Sequence, residues 1–346
     1  MRPRIAVTMG DPAGIGPEIV VKALTDGKGL RDQCRPIVIG SAAMLRDAAS
    51  RWAPEATIIA RASIDEFDEK SDRPDTIEVI DVGASSGDDV DQSLPEQGVV
   101  SARCGALAVA SVRAAAALAR GDHVDGIATA PLNKEAMHAA GFRYPGHTEL
   151  LAEEFGVKRF SLALGAEGLY LLHVTTHVAL RTACDLITTE RVLATIVLAH
   201  ELASALGRHD DEIAVLGLNP HAGENGLIGD EDASAVAPAV ALARGKGIAA
   251  VGPLPADAAL PLAFRGRYRL VVAMYHDQGH VAFKAVFGDR GVNVTVGLPT
   301  VRTSVDHGTA FDIAGRGIAR HESMVHAIET AARLAPAWRA RWRPPA

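Results

Sequence analysis

Short β-branched runs alternate with longer alanine-rich stretches along the chain. Residues 5–9 (IAVTM) read as a strand, and 17–24 (PEIVVKAL) as a helix whose first turn suits Pro17. Residues 36–40 (PIVIG) form the next strand, 42–52 the next helix and 76–82 (TIEVIDV) a third strand. The run 106–121 predicts a helix ended by Gly121. The alternation continues through 125–130, 134–141, 169–174, 190–207, 212–218, 232–247 and 269–274. Strands that alternate with helices predict βαβ units and mostly parallel sheets, an α/β fold. The polar, acidic stretch 83–100 reads as a loop, and the tail PAWRARWRPPA as a surface helix running into a frayed end.

Composition narrows the class. A chain of 346 residues has room for about two domains. Hydrophobic residues at 48% and charged residues at 22% are the balance of a globular protein, and with aromatics at only 4% the core is mostly aliphatic. A formal net charge of −7 argues against a nucleic-acid coat or a basic membrane-surface binder, although a local cluster of cations can still hold a small anion. Cys34, Cys104 and Cys184 lie far apart without CxxC spacing, which points to a reducing compartment and to no disulfide framework. No run reads as a membrane span of roughly 20 residues. The opening residues read as a first strand, too short in apolar length for a signal peptide. The cytoplasm is the expected location.

Three histidines follow three expected strands. His177 lies beyond LYLLHV, His221 beyond EIAVLGL, and His276 two residues beyond RLVVAM. Ligands of open parallel sheets bind outside the carboxyl ends of the strands, so three imidazoles delivered there can converge on one divalent ion. Any one of them alone reads as well as a solvated loop residue. A second set prefers anions: Lys284, Asn293, Arg302, Asp306 and His307 lie among glycine turns, and YPGHTEL adds His147 and Thr148. Arg, Lys, Asn, Thr and His are the groups a phosphate or carboxylate asks for; surface loops with scattered charges are the alternative, and Thr148 reads equally as a helix cap. The corner GDPAGIGPE (10–18) is neither GxGxxG nor a P-loop, and reads as an anion-facing helix start or as a tight turn.

Taken together, GDPAGIGPE, YPGHTEL, TTHVALR, GLNPHAGENG, GPLPAD, MYHDQG, GVNVTVGLP and RTSVDHGTAFDIAG resemble the 4-hydroxythreonine-4-phosphate dehydrogenase family, PdxA, in order and over nearly the whole chain. The resemblance implies NAD-dependent oxidation and decarboxylation of a phosphorylated acid. It also implies two α/β/α domains like those of isocitrate and isopropylmalate dehydrogenases, 1–130 with 295–346 and 131–294, and a homodimer whose second subunit completes the interdomain active site. It places the metal ligands on His177, His221 and His276. Substrate-binding residues fall on His147, Thr148, Lys284, Asn293 and Arg302, and an aspartate near the metal on Asp257. Asp257 and Lys284 are the candidates for proton handling, Asp277 and Gln278 for partners of His276 or the cofactor. The cofactor-binding residues are not identified. Three imidazoles suit zinc, with cobalt, manganese and magnesium as alternatives. HDQGH, with His280 where pyridoxine-pathway members tend to be apolar, resembles more closely the branch acting on threonate or erythronate 4-phosphate.

Two rivals remain. A dehydrogenase of an unphosphorylated cis-dihydrodiol carboxylate would keep the fold but not need the full anion grip. A metal-dependent phosphate-ester hydrolase would use the three histidines to activate water and need no NAD.

Overall fold

The computed structural model describes residues 2–27, 29–67, 72–83 and 93–342. Much of the expected acidic loop, 84–92, and the last four residues of the basic tail lie outside them. The elements run β1 (Arg4–Thr8), α1 (Gly16–Asp26), α2 (Leu30–Gln33), β2 (Arg35–Gly40), α3 (Ala42–Trp52), β3 (Thr57–Arg61), β4 (Thr76–Asp81), α4 (Ala102–Arg120) and β5 (Gly126–Thr129). There follow α5 (Lys134–Ala139), α6 (His147–Glu154), β6 (Ser161–Ala166), β7 (Leu169–His173), α7 (Leu180–Leu186), α8 (Thr189–Ala205), β8 (Ile213–Leu216), α9 (Ala237–Gly245) and β9 (Ala250–Leu254). The chain ends with α10 (Ala256–Phe264), β10 (Leu270–Ala273), α11 (His276–Phe287), β11 (Val292–Val296), β12 (Val301–Val305) and α12 (Glu322–Trp342).

Two units result: Met1–Lys158 with Leu298–Ala346, and Arg159–Gly297. The division falls later than the expected boundary at 130, because α5 and α6 pack against α4 and stay with the first unit. In the first unit the strand order is β3-β4-β2-β1-β5-β12, and every pairing is parallel. Helices α1, α3 and α12 pack as one group, α4 with α5 and α6 as another. Helix α4, 19 residues long, is apolar enough to pass for a membrane span by length and composition, against the expectation that no run would. Its apolar stripe, including Cys104, Leu107, Val109 and Val112, is buried, and the helix packs on β1, β2 and β5.

The second unit has the order β11-β6-β7-β10-β8-β9. The pairings among β7, β10, β8 and β9 are parallel, whereas β6 runs antiparallel to both β7 and β11. A two-residue turn joins β6 to β7, with Glu167 and Gly168 both at positive φ, as a hairpin of this hand requires. Leu171, Leu216, Val271, Phe283 and Phe287 lie in its buried core.

Local chemistry explains the helix starts. The side chains of Ser41, Asn133 and Thr188 accept from Met44 N, Ala136 N and Arg191 N, and so cap α3, α5 and α8. The tail is not the surface helix expected: α12 carries Trp338 into the core, 1% exposed, where its Nε1 donates to Leu298 O at 2.9 Å.

Candidate active site

Strands β7, β10 and β8 are neighbours and parallel, so the segments bearing His177, His276 and His221 leave one edge of the second unit's sheet. The segment before His177 is pinned there: Val174 N donates to Ala273 O at 2.9 Å, and Thr175 Oγ1 to Met274 O at 2.9 Å. At the end of β10 the chain enters α11 at once, with His276 its first residue, where the sequence suggested a strand-end loop. The imidazoles of His177 and His276 stand 5.8 Å apart between centroids. His276 Nδ1 lies 2.7 Å from Asp277 Oδ1, which makes Nδ1 the protonated nitrogen and leaves the lone pair on Nε2.

Two further histidines join this pair. His280, one turn along α11, stacks on His276 with centroids 3.8 Å apart and planes within 8°. His280 Nδ1 lies 3.2 Å from Nε2 of His173, the last residue of β7. Both rings are buried. Burial first, then the neighbouring imidazoles, pushes the His173 pKa down to about 3. Burial, His276 and Lys284 push His280 down to about 4. The rings are therefore neutral near pH 7.

His221 stands apart from this cluster. It is exposed, on a turn whose residues His221 to Asn225 all have positive φ, a left-handed run that only Gly223 adopts without strain. Buried Asp232 braces the turn from below, accepting from Leu218 N at 2.6 Å and Asn219 N at 2.9 Å. Gln278 ties two strand ends together, accepting from Met274 N and donating to Gly217 O, each at 2.7 Å. Asp257 is exposed in the first turn of α10. Lys284, also exposed, follows His276 and His280 at helical spacing on α11, and Asn293 lies half-buried on β11. The donor chemistry suits a divalent ion: imidazole nitrogens, one ring with its tautomer set by a carboxylate. Among the described residues, however, no three His, Cys, Asp or Glu side chains stand close enough to hold one.

The first unit holds a different constellation. Arg302 on β12 is buried, 3% exposed. Its Nη2 donates to Thr129 Oγ1 at 2.7 Å and its Nη1 reaches Thr148 Oγ1 at 3.4 Å. Thr148 thus lies beside Arg302 and is not the cap of α6, whose N-cap is Gly146. Burial pushes the guanidinium pKa down to about 10 against the opposing charge of Glu149. Burial and the Arg302 charge hold His147 well below its ordinary value, and its Nε2 is enclosed without a hydrogen-bond partner. A neutral imidazole, two hydroxyls and a guanidinium make a grip for a phosphate or carboxylate.

The glycine corner is a packing device. A Cβ on Gly10 or Gly16 would stand 2.4 Å from the carbonyl oxygen of Pro131 or Met9, and one on Gly14 2.8 Å from that of Thr309. Asp11 turns inward there and accepts from Ala13 N at 2.8 Å, and burial pushes its pKa up to about 6.

Parallel α/β units with imidazoles at adjoining strand ends and a buried guanidinium grip belong, on comparison with known proteins, to a class of dehydrogenases acting on phosphorylated hydroxy acids. The chain belongs to the PdxA family: the sequence model described as pyridoxal phosphate biosynthetic protein PdxA matches residues 32–331. It is 53% identical over 343 residues to D-threonate 4-phosphate dehydrogenase of Bordetella bronchiseptica, covering 98% of this chain and 95% of that one. It is also similar to the crystal structure of 4-hydroxythreonine-4-phosphate dehydrogenase from Klebsiella pneumoniae, at 46% identity and TM-score 0.88 over 97% of this chain and 98% of the other. A terephthalate 1,2-cis-dihydrodiol dehydrogenase from Burkholderia xenovorans is less similar, at 30% identity and TM-score 0.64 over 96% and 98%. A dehydrogenase of this family works with a nicotinamide cofactor and a divalent metal.

Proposed function

We propose that the chain oxidises a four-carbon 4-phosphorylated hydroxy acid, D-threonate 4-phosphate before 4-hydroxythreonine 4-phosphate, with NAD as acceptor and loss of carbon dioxide. The buried Arg302 grip is the observation that carries this reading. A desolvated guanidinium beside a neutral imidazole suits a phosphate, and the greater likeness to the two phosphate-substrate relatives than to the dihydrodiol dehydrogenase favours that anion over a carboxylate.

Arg302, Thr148 and the Nε2 of His147 take the phosphate, and Lys284 and Asn293 bind the remaining polar groups of the substrate. Anchoring the far end lets binding energy orient the reacting carbon. The hydroxyl proton passes to the Asp257 carboxylate as hydride leaves the same carbon for the nicotinamide. The resulting ketone lies β to the carboxylate, so the C–C bond breaks, carbon dioxide leaves, and Lys284 returns a proton to the enolate. A divalent metal, zinc before cobalt, manganese or magnesium, would be held by His177, His221 and His276, and supplies Lewis acidity that lowers the hydroxyl pKa and stabilises the enolate charge. As the family resemblance implies, the set is completed in a homodimer with a shared site.

NADH absorbance tests this, with D-threonate 4-phosphate, D-erythronate 4-phosphate and 4-hydroxythreonine 4-phosphate run side by side on metal-loaded and chelator-treated enzyme. NAD reduction fastest with D-threonate 4-phosphate, abolished by chelation and by His276→Ala, is expected. Reduction only with unphosphorylated diols, or phosphate release without NAD, would overturn it.

A further inference from the structure

His173 and His280 have no part in the chemistry above, yet they are the two most enclosed imidazoles beside His276. Their arrangement is ordered. The 3.2 Å contact of His280 Nδ1 with His173 Nε2 needs one proton between two neutral rings, so one nitrogen donates and the other accepts. The backbone of His276, one turn earlier on α11, also lies against the His280 ring. The Nδ1 of His173 is enclosed without a hydrogen-bond partner, so the contact with His280 is the one that orients its ring. A hydrogen-bonded ring pair thus links β7 to α11, and ends on a ring lying flat against His276, 3.8 Å between centroids.

We propose that His280 and His173 are a positioning pair for His276: their hydrogen bond fixes the plane of the His280 ring, and the stack holds the His276 imidazole in its ligating pose. Asp277 selects the tautomer of His276; the pair selects its rotamer. Neither ring touches substrate. This role rests on His276 being a ligand, and holding a ligand ring still before the ion arrives is the usual work of groups behind a metal site.

The test uses the full-length protein with His173→Leu, His280→Leu and the double variant, each checked for folding by thermal melting. In metal-free protein labelled at the histidine ring carbons, the His276 resonance should be single and sharp in the wild type and broadened in all three variants. Cobalt titration should show affinity lower by about 10–100-fold in each single variant, and the double variant should lose no more than either single one, as for residues acting in series. A sharp His276 resonance in both single variants, or additive losses, would overturn the pairing. The resonance test needs no metal, so it decides the pairing even if wild-type protein binds no cobalt through His276, an outcome that would instead sink the ligand reading of that residue.

Discussion

The Nε2 atom of His173 lies where a side chain on Gly279 would begin: a Cβ there would stand 2.5 Å from Nε2 and 2.9 Å from Leu171 Cδ2. The glycine of the HDQG segment is therefore not a turn residue. It lies inside α11, with an ordinary helical backbone, and its missing side chain lets the helix settle onto the imidazole below.

Gly279→Ala sets two effects against each other. Alanine favours a helix by about 1 kcal/mol, but overpacking a closed site costs about 1–3 kcal/mol, and both clashing groups are buried. The melting temperature should fall by a few degrees, with a loss of cobalt affinity as the His173 ring is displaced. A rise in melting temperature would show that the ring has room to move aside.

Gln278→Ala removes both bonds of the strap between β10 and β8, stranding Met274 N and Gly217 O at a cost of about 1–3 kcal/mol each. Gln278→Glu keeps the acceptor but loses the donor, and regains it only when protonated. Denaturant titrations should place glutamate well below wild type at pH 8, with the gap narrowing toward pH 5. A pH-independent gap would count against the donor role.

Arg302→Lys keeps the charge and loses the fork that spans Thr129 and Thr148. KM for the phosphorylated substrate should rise at least tenfold while kcat changes less, and inorganic phosphate should no longer raise the melting temperature. Undiminished protection by phosphate would move the anion site elsewhere.

His147 supplies a pH dependence of definite sign. Its folded pKa is depressed by burial and by Arg302, below an unfolded value near 6.5. Its contribution is whole above that value and lost as pH falls below it toward the folded pKa, because the unfolded chain then binds the proton more readily. His147→Gln should flatten the decline of melting temperature between pH 7 and pH 5. An unchanged slope would mean that the ring is open to water.

Much of the fold was legible because the chain obeys simple periods. The β-branched runs 36–40 and 169–174 and the alanine-rich 106–121 became β2, β7 and α4 within a few residues. What escaped has physical reasons. Strands β11 and β12 lie among glycines and charges that read as loops, and Asn293 and Arg302 sit on them because these strands present function as well as core. Helix α11 was hidden because its first turn, HDQG, combines poor helix formers with a glycine. Once it is a helix, the four-residue spacing of His276 and His280 is plain. His173 was hidden differently, as the polar end of an otherwise apolar strand. Likewise, the gathering of His177 with His276 but not His221 depends on loop conformation, which strand periodicity does not encode.

The two-part make-up of the first unit sets an order on its birth. Its edge strand β12 pairs with β5, and α12 packs on both, yet these come from residues after 297, which leave the ribosome after the whole second unit. The second unit, unbroken from Arg159 to Gly297, has all its strands in hand before then. Against the usual N-terminal-first rule, the later-encoded unit can finish folding while the earlier one waits with Thr129 unmatched. The Arg302 constellation thus comes into being only after the second unit has been made, and a chain cut short before Arg302 would lack it altogether.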